Sequence, residues 1–371
     1  MSSFGISPQI LLYPTFSEFI SDMPLKKTDL VITNKFIKEG SLATISFEGP
    51  ILFQEEYGQG EPSNHMMDRL FAAARQHSYE RVIAIGGGSV LDVAKLLVLA
   101  GDSNTVEYFD RQVPIKKSKE LVLIPTTCGT GSEMTNITIL ELVEQKTKKG
   151  LADPALFADQ AVLIPELLNS LPYPVFATSS IDALVHATES FVAPGSNPFS
   201  ELFGLKAIEM ILTAYRAVVK NGRETWVDHK QDFLIASAYA GIAFGNTGVG
   251  AVHALSYPLG GIYHVPHGEA NQQMFTGVFQ MYQKVQPQGK IQELELRLAE
   301  LLEVTSQEVW TALDELLEAL WAKKPLREYG MLEKEIEEFT ESVIQNQQRL
   351  LKNNYTPLSK EQIKEIYTLL Y

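Results

Sequence analysis

At 371 residues the chain exceeds one ordinary hydrophobic core and predicts two domains. Its 45% hydrophobic and 20% charged content is ordinary for a soluble globular protein. A formal net charge of −14 excludes nucleic acid and an anionic membrane surface as main partners, and an anionic small molecule would need a local positive group. The single cysteine, Cys128, excludes an internal disulfide and a cysteine-only zinc site, and fits a reducing cytoplasm. No basic stretch followed by an apolar one opens the sequence, so no secretion signal is expected. The most apolar run, Val82 to Ala100, is broken by Asp92 and Lys95 and reads as a buried strand and helix, not a membrane span.

The first half alternates short β-branched runs with helical patterns, the signature of a parallel sheet wrapped by helices. The predicted strands are Ile10–Tyr13, Leu30–Thr33, Ile51–Gln54, Val82–Ile85, Leu121–Ile124, Ile137–Glu141 and Val162–Ile164. Ser63 is the expected N-cap of a helix reaching about Gln76. The strand ending at Ile85 runs into Gly86-Gly87-Gly88-Ser89 and then a helix, Val90–Leu99. Such glycines let a backbone approach a phosphate at a helix start, although three glycines also make a plain tight turn. Asp92 carries two readings, a ligand contact or a complement to the helix dipole. A second loop, Pro125-Thr126-Thr127-Cys128-Gly129-Thr130-Gly131-Ser132-Glu133, follows the next strand and offers hydroxyls and bare amides. Two glycine-rich loops at the carboxyl ends of parallel strands mark the crevice where open α/β sheets bind ligands. Cys128 reads as a small filler first and a reactive thiol second.

Near Leu171-Pro172 the texture changes, and helical periodicity takes over. The division is an α/β domain over 1–171 and an all-helical one over 172–371. Leu202, Leu205, Ile208, Leu212, Tyr215 and Val219 form an apolar stripe on a helix from Pro198, stopped by Gly222. Thr305 with Glu308 and Ser359 with Gln362 are candidate capping boxes. In this half Asp182 and His186 stand four residues apart on one predicted helical face, and His253 and His267 follow in an apolar, glycine-rich stretch. One carboxylate with imidazoles suits Fe(II) or Zn(II). An Asp and a His at that spacing serve equally well as a solvated pair or a hydrogen bond.

Gly86-Gly-Gly-Ser-Val-Leu-Asp-Val-Ala-Lys95, the Pro125–Glu133 loop, Asp182-Ala-Leu-Val-His-Ala-Thr-Glu189 and His253-Ala-Leu-Ser-Tyr-Pro-Leu-Gly260 with Pro266-His-Gly268 stand in one order. Together they resemble the iron-containing (group III) alcohol dehydrogenases over nearly the whole chain. The resemblance implies the dehydroquinate synthase-like fold, with an active site in the cleft between two domains. It implies Asp182, His186, His253 and His267 as metal ligands. It also implies Gly86, Gly87, Gly88 and Ser89 at the pyrophosphate of NAD, with Asp92, Thr126, Thr127, Thr130 and Lys149 along the cofactor. From the residues alone, Lys148 and Lys149 read as solvated charge. Asn34 stands where many members carry an aspartate that binds the adenosine ribose and rejects a 2′-phosphate. Tyr257 replaces a further histidine of some relatives.

A closer likeness, through Phe53–Pro62, Lys324–Gly330 and Asn353-Asn-Tyr355, is to members that interconvert a four-carbon hydroxy acid and its semialdehyde with NAD(H). The metal would act as Lewis acid, with His267, Tyr257 and His264 as catalytic candidates and Tyr257, His264 or the cofactor ribose as proton exit. His264, Lys148 and Arg327 are candidates for the substrate carboxylate, and His264 reads equally as a hydrogen-bonded core residue. A cytoplasmic homo-oligomer, a dimer first, is the expected assembly. Another short-chain alcohol or diol as substrate, a dehydroquinate synthase-like lyase, a metal hydrolase and a structural metal protein are the alternatives.

Overall fold

The structure, a computed structural model, describes residues 4–58, 60–145 and 147–371. They form two compact units, Ile6–Leu171 and Pro172–Tyr371, and Phe4 and Gly5 belong with the second. Gly5 exchanges two hydrogen bonds with the Asn246 side chain, and Phe4 stacks on Phe199 and Phe203. A boundary drawn from texture alone had put these residues with the first domain.

The first unit runs β1 (Gln9–Leu12), α1 (Phe16–Asp22), β2 (Asp29–Thr33), α2 (Lys35–Glu39), β3 (Ile51–Phe53), α3 (Asn64–Ala74), β4 (Arg81–Gly86), α4 (Gly88–Leu97), α5 (Thr105–Phe109), β5 (Glu120–Pro125), β6 (Ile137–Leu142), β7 (Thr147–Ala152) and β8 (Gln160–Leu163). Six strands make a parallel sheet in the order β1-β8-β5-β4-β2-β3. Leu30, Ile32, Val82, Ala84, Leu121 and Leu123 bury one face with α3 and α4. Val31, Ile83, Ile85, Val122 and Ile124 bury the other with Phe16, Phe19 and Ile37. Alternate residues face opposite layers, and a sheet covered on both faces needs both sets apolar, hence the unbroken β-branched runs.

The hairpin β6–β7 departs from the sequence reading. β6 lies outside the parallel sheet and pairs antiparallel with β7, which was not expected at all. Its Lys148 and Lys149 lie opposite Glu141 and Leu140, and both are in ion pairs, with Glu61 and Asp110, where solvated charge was expected. Helix α4 starts at Gly88, earlier than Val90, because the last glycine of the run is its first turn.

The second unit contains α6 (Tyr173–Val192), α7 (Pro198–Asn221), α8 (Lys230–Thr247), α9 (Ala251–Tyr263), α10 (His267–Val285), α11 (Lys290–Leu302), α12 (Val309–Leu320), α13 (Glu335–Asn346), α14 (Gln348–Leu351) and α15 (Lys360–Leu370). α6 is its central element, packed against α7, α8 and α10. The buried face of α7 is Gly204, Ala207, Ile208, Ile211, Leu212, Ala214, Tyr215 and Val218, so Leu202 and Val219 of the expected stripe stand exposed. The small residues Gly204 and Ala207, which a hydrophobic stripe overlooks, let helices approach closely. Gly222 ends α7 as expected, at φ 111°. Ser359 and Gln362 form the capping box of α15. Glu308 accepts from both the backbone N–H and the hydroxyl of Thr305 in a turn ahead of α12, whose N-cap is Glu308 and not Thr305, so the expected capping box is not formed. Among the described residues no single helix is long and apolar enough to cross a membrane.

Asp29 and Arg81 are register partners on β2 and β4, both buried, and pair in two bonds of 2.9 and 2.7 Å. Removing one partner leaves the other charge buried and uncompensated. Arg81→Ala is therefore expected to cost about 3 to 5 kcal/mol, read as an earlier urea transition of this unit. An unchanged midpoint would show that the pair stabilises nothing.

Candidate functional site

From Ser180 to Val192 every residue of α6 is buried. A helix buried all round must pair its polar groups. Asp182, His186 and Glu189 follow at spacings of four and three, so they share one helical face. α9 brings His253 to this face in its first turn, and α10 begins at His267. Gly268 allows the approach: a Cβ there would lie 2.1 Å from the Thr178 carbonyl oxygen of α6.

The four expected side chains meet around one atom. Asp182 Oδ1 lies 3.9 Å from His186 Nε2, 3.6 Å from His253 Nε2 and 3.8 Å from His267 Nε2. These separations exceed a hydrogen bond, and His253 Nε2 is a buried nitrogen with no hydrogen-bond partner. Ligand atoms of Asp182, His186 and His253 all lie within 4.8 Å of one another, spacing that suits donors around one cation. An orphaned buried nitrogen turned towards a carboxylate and two further imidazoles is what such a cation would satisfy. The residues therefore fit a divalent metal. His267 has 36% of its side chain exposed while the other three are buried, so the cluster has one open edge.

Burial would push the Asp182 carboxyl up, but His186, His267 and His253 outweigh it and hold it well below the usual carboxylate range. Burial would likewise lower His253, yet the Asp182 and Glu189 carboxylates push its imidazolium up to about 9. The carboxylate is thus ionised and the imidazoles sit in a negative field, which favours a cation among them.

Two residues of the cluster escaped the sequence reading. Glu189 Oε2 lies 2.6 Å from His253 Nδ1, and its Oε1 accepts the Val252 N–H at 2.8 Å. Asn271 donates to Asp182 Oδ1 at 2.7 Å and lies 3.2 Å from His267 Nε2. Both were visible as spacing: Glu189 is one turn beyond His186, and Asn271 one turn beyond His267. The half-buried Tyr257 ring stands 6.3 Å from that of His267, at the edge of the cluster. His264 is an exposed residue capping α9 in the left-handed conformation, φ 53°, which overturns its reading as a core histidine. Among the described residues its ring makes no contact with the four.

In the first unit, both glycine loops leave neighbouring strands at matched positions, Gly86 opposite Pro125. A Cβ at Gly88 would meet the Thr130 methyl at 2.7 Å, and one at Gly87 the Thr127 methyl at 3.3 Å. The loops thus close on each other where the unpaired N–H groups of α4 begin, a cradle any side chain would fill. Thr126 joins them through its N–H to the Gly86 carbonyl, 3.0 Å. Ser89 lies in the first turn of α4, half-buried. Asp92 belongs to the scaffold: one carboxylate oxygen accepts from Ser132 Oγ of the second loop at 2.5 Å and the other from the Ile139 N–H of β6 at 2.9 Å. Buried Lys95 adds bonds to Ser132 Oγ and the Ile137 carbonyl, 2.7 and 2.6 Å. Lys149 pairs with Asp110 at 2.6 Å, a partly exposed ion pair. Cys128 is fully buried, the filler of the second loop. Of the carboxylate candidates, Lys148 pairs with Glu61, and Arg327 donates to the Tyr371 carbonyl at 2.5 Å.

Residues 15–165 match the iron-containing alcohol dehydrogenase family and residues 176–371 the Fe-containing alcohol dehydrogenase family, C-terminal. The chain is 47% identical to a 4-hydroxybutyrate dehydrogenase of Clostridium kluyveri over the full length of both. It is 34% identical to long-chain-alcohol dehydrogenase 1 of Geobacillus thermodenitrificans, covering 83% of this chain and 79% of that one. A solved 1,3-propanediol oxidoreductase superposes with a TM-score of 0.86 at 22% identity, covering both chains entirely. A sulfoacetaldehyde reductase from Bifidobacterium kashiwanohense, solved in complex with NAD+, does so at 0.85 and 21%, covering 100% and 98%. The chain belongs to the iron-containing alcohol dehydrogenase family, a family of oxidoreductases.

Glu189 is expected to fix the His253 tautomer, Nδ1–H towards the carboxylate and Nε2 towards the cluster. The two bonds use different oxygens of Glu189, and glutamine replaces one of them with a donating NH2. Glu189→Gln should weaken Zn(II) binding about 10- to 100-fold in chelator competition while the metal-free protein still folds. Unchanged affinity would remove Glu189 from the centre.

Proposed function

We propose that this chain interconverts 4-hydroxybutyrate and succinate semialdehyde with NAD(H), at a centre formed by Asp182, His186, His253 and His267. The observation that carries the substrate is the 47% identity to the Clostridium kluyveri enzyme across the full length of both chains. What supports the centre is the convergence of three imidazoles on one buried carboxylate around an orphaned nitrogen.

A bound Fe(II) or Zn(II) ion would supply Lewis acidity to the alcohol or carbonyl oxygen, and the dinucleotide carries the hydride. The rest falls to this chain's side chains. Asp182 stays anionic, Glu189 holds the His253 Nδ1 proton, and Asn271 steadies Asp182 and His267. His267, on the open edge, is both the accessible ligand and the residue nearest a substrate. Tyr257 beside it is the preferred group to pass the alcohol proton to solvent, and the exposed His264 is second. Gly86, Gly87, Gly88 and Ser89 present helix-start amides to a pyrophosphate, and Thr126, Thr127 and Thr130 line the facing loop. Asn34 closes the next strand as the ribose contact.

Oxidation converts 4-hydroxybutyrate and NAD+ into the semialdehyde, NADH and a proton. The purified protein, assayed for NADH with short hydroxy acids and diols, is expected to prefer 4-hydroxybutyrate, to lose turnover on chelation and to regain it with Fe(II) or Zn(II). Preference for an uncharged diol would overturn the substrate. Turnover unaffected by chelation would overturn the metal, and a reaction without net NADH would favour a lyase.

His267→Ala should lower kcat/KM by more than the roughly 10- to 100-fold that loss of a residue behind a metal ligand costs. Tyr257→Phe should reduce kcat while leaving metal content unchanged. A Tyr257→Phe protein with wild-type kcat at every pH would remove the hydroxyl from the proton path.

A further inference from the structure

β2, which Asn34 follows directly, lies beside β4, the strand that carries the first glycine loop, and β3 lies beyond it. In open dinucleotide-binding sheets, an acidic side chain after the strand next to the glycine-loop strand reads the adenosine ribose and repels a 2′-phosphate. Asn34 offers no charge for this. It does not cap α2 with its side chain, the usual use of an N-cap asparagine. Instead its Nδ2 donates to Glu55 Oε2 at 2.9 Å and Gln54 Oε1 at 3.2 Å, from the turn that ends β3. Glu55 Oε1 accepts the Lys35 N–H at 2.6 Å. With its nitrogen turned to β3, Asn34 presents its carbonyl oxygen as an acceptor, as an aspartate would. The missing charge stands immediately behind it. Lys35 does not cancel that charge, because its Nζ pairs with Glu56 at 2.6 Å, leaving one negative charge in excess among the three.

We infer that Glu55 supplies from β3 the charge Asn34 lacks, making this chain selective for NAD(H) over its 2′-phosphorylated counterpart. The inference rests on the dinucleotide reading above. It needs no contact between Glu55 and the ribose, only a carboxylate fixed behind the residue that makes one.

Fluorescence titration of the metal-loaded protein with NADH and with NADPH tests it directly. Glu55→Gln removes the charge and one of the two bonds to Asn34 and Lys35, so NADH should bind somewhat more weakly while the preference for NADH over NADPH shrinks on the order of tenfold. In the wild-type protein, added salt should narrow the gap between the two nucleotides, because screening weakens an exposed charge pair. That arm decides the matter if the variant fails to fold. An unaltered NADH-to-NADPH ratio in the variant, or a wild-type gap indifferent to salt, would overturn the role of Glu55. Wild-type protein that binds neither nucleotide would overturn the dinucleotide reading itself, and Glu55's role with it.

Discussion

Taking a carboxylate out of water without compensation costs several kcal/mol, about what a small domain can spare in total. Asp182 is 2% exposed in the middle of the most buried helix of its unit, so its surroundings must answer that cost. Asn271 supplies one hydrogen bond, and three imidazoles face the same oxygen from beyond hydrogen-bonding range. Much of the local architecture follows from this one group. α10 must start against α6, which requires Gly268 where any side chain would strike the Thr178 carbonyl. α9 must start beside Glu189, which takes both the Val252 N–H and the His253 ring. Helix starts, glycine positions and a second buried carboxylate are arranged for Asp182 rather than for the apolar core.

The α/β unit meets a similar demand differently. Its glycine loops are made close-fitting by methyl groups of Thr127 and Thr130, and are held by buried charge from behind. Asp92 and Lys95 both reach Ser132, so the helix that begins at the first loop also fixes the second. Residues that look in sequence like ligand contacts thus serve as the frame that keeps ligand-facing amides in place. Lys95 is fully buried and Asp92 nearly so, and such an ion pair gains geometry more than stability.

What the sequence made legible was periodicity and spacing. Strands β2, β4 and β5 were visible because a doubly covered sheet needs apolar residues on both faces. The metal cluster was visible because a four-residue spacing places two side chains on one helical face. β7 was not, since Thr147–Ala152 carries two lysines and a glycine and gains its strand character from pairing with β6. The α7 stripe was drawn through Leu202 and Val219 because large residues attract attention, whereas the real contact face runs through Gly204, Ala207 and Ile211. Glu189 closed a recognised motif, and Asn271 lay three residues beyond another. They went unassigned because neither is a ligand type that stands out among four candidates, and their roles appear only once three helices converge.

Charge within the cluster narrows what the centre can hold. Asp182 and Glu189 are two buried carboxylates, and the imidazoles bring no charge when their ring nitrogens serve as ligands. A monovalent cation would leave a negative charge buried, and a trivalent one a positive charge. A divalent ion leaves the cluster neutral, which is the condition for burying it at all. Carboxylate and imidazole donors suit both iron(II) and zinc(II), so charge fixes the valence and leaves the element to ligand softness and supply. The same count gives the Glu189 carboxylate a second task besides accepting from the His253 ring and the Val252 N–H. Its charge completes the neutrality that Asp182 alone does not.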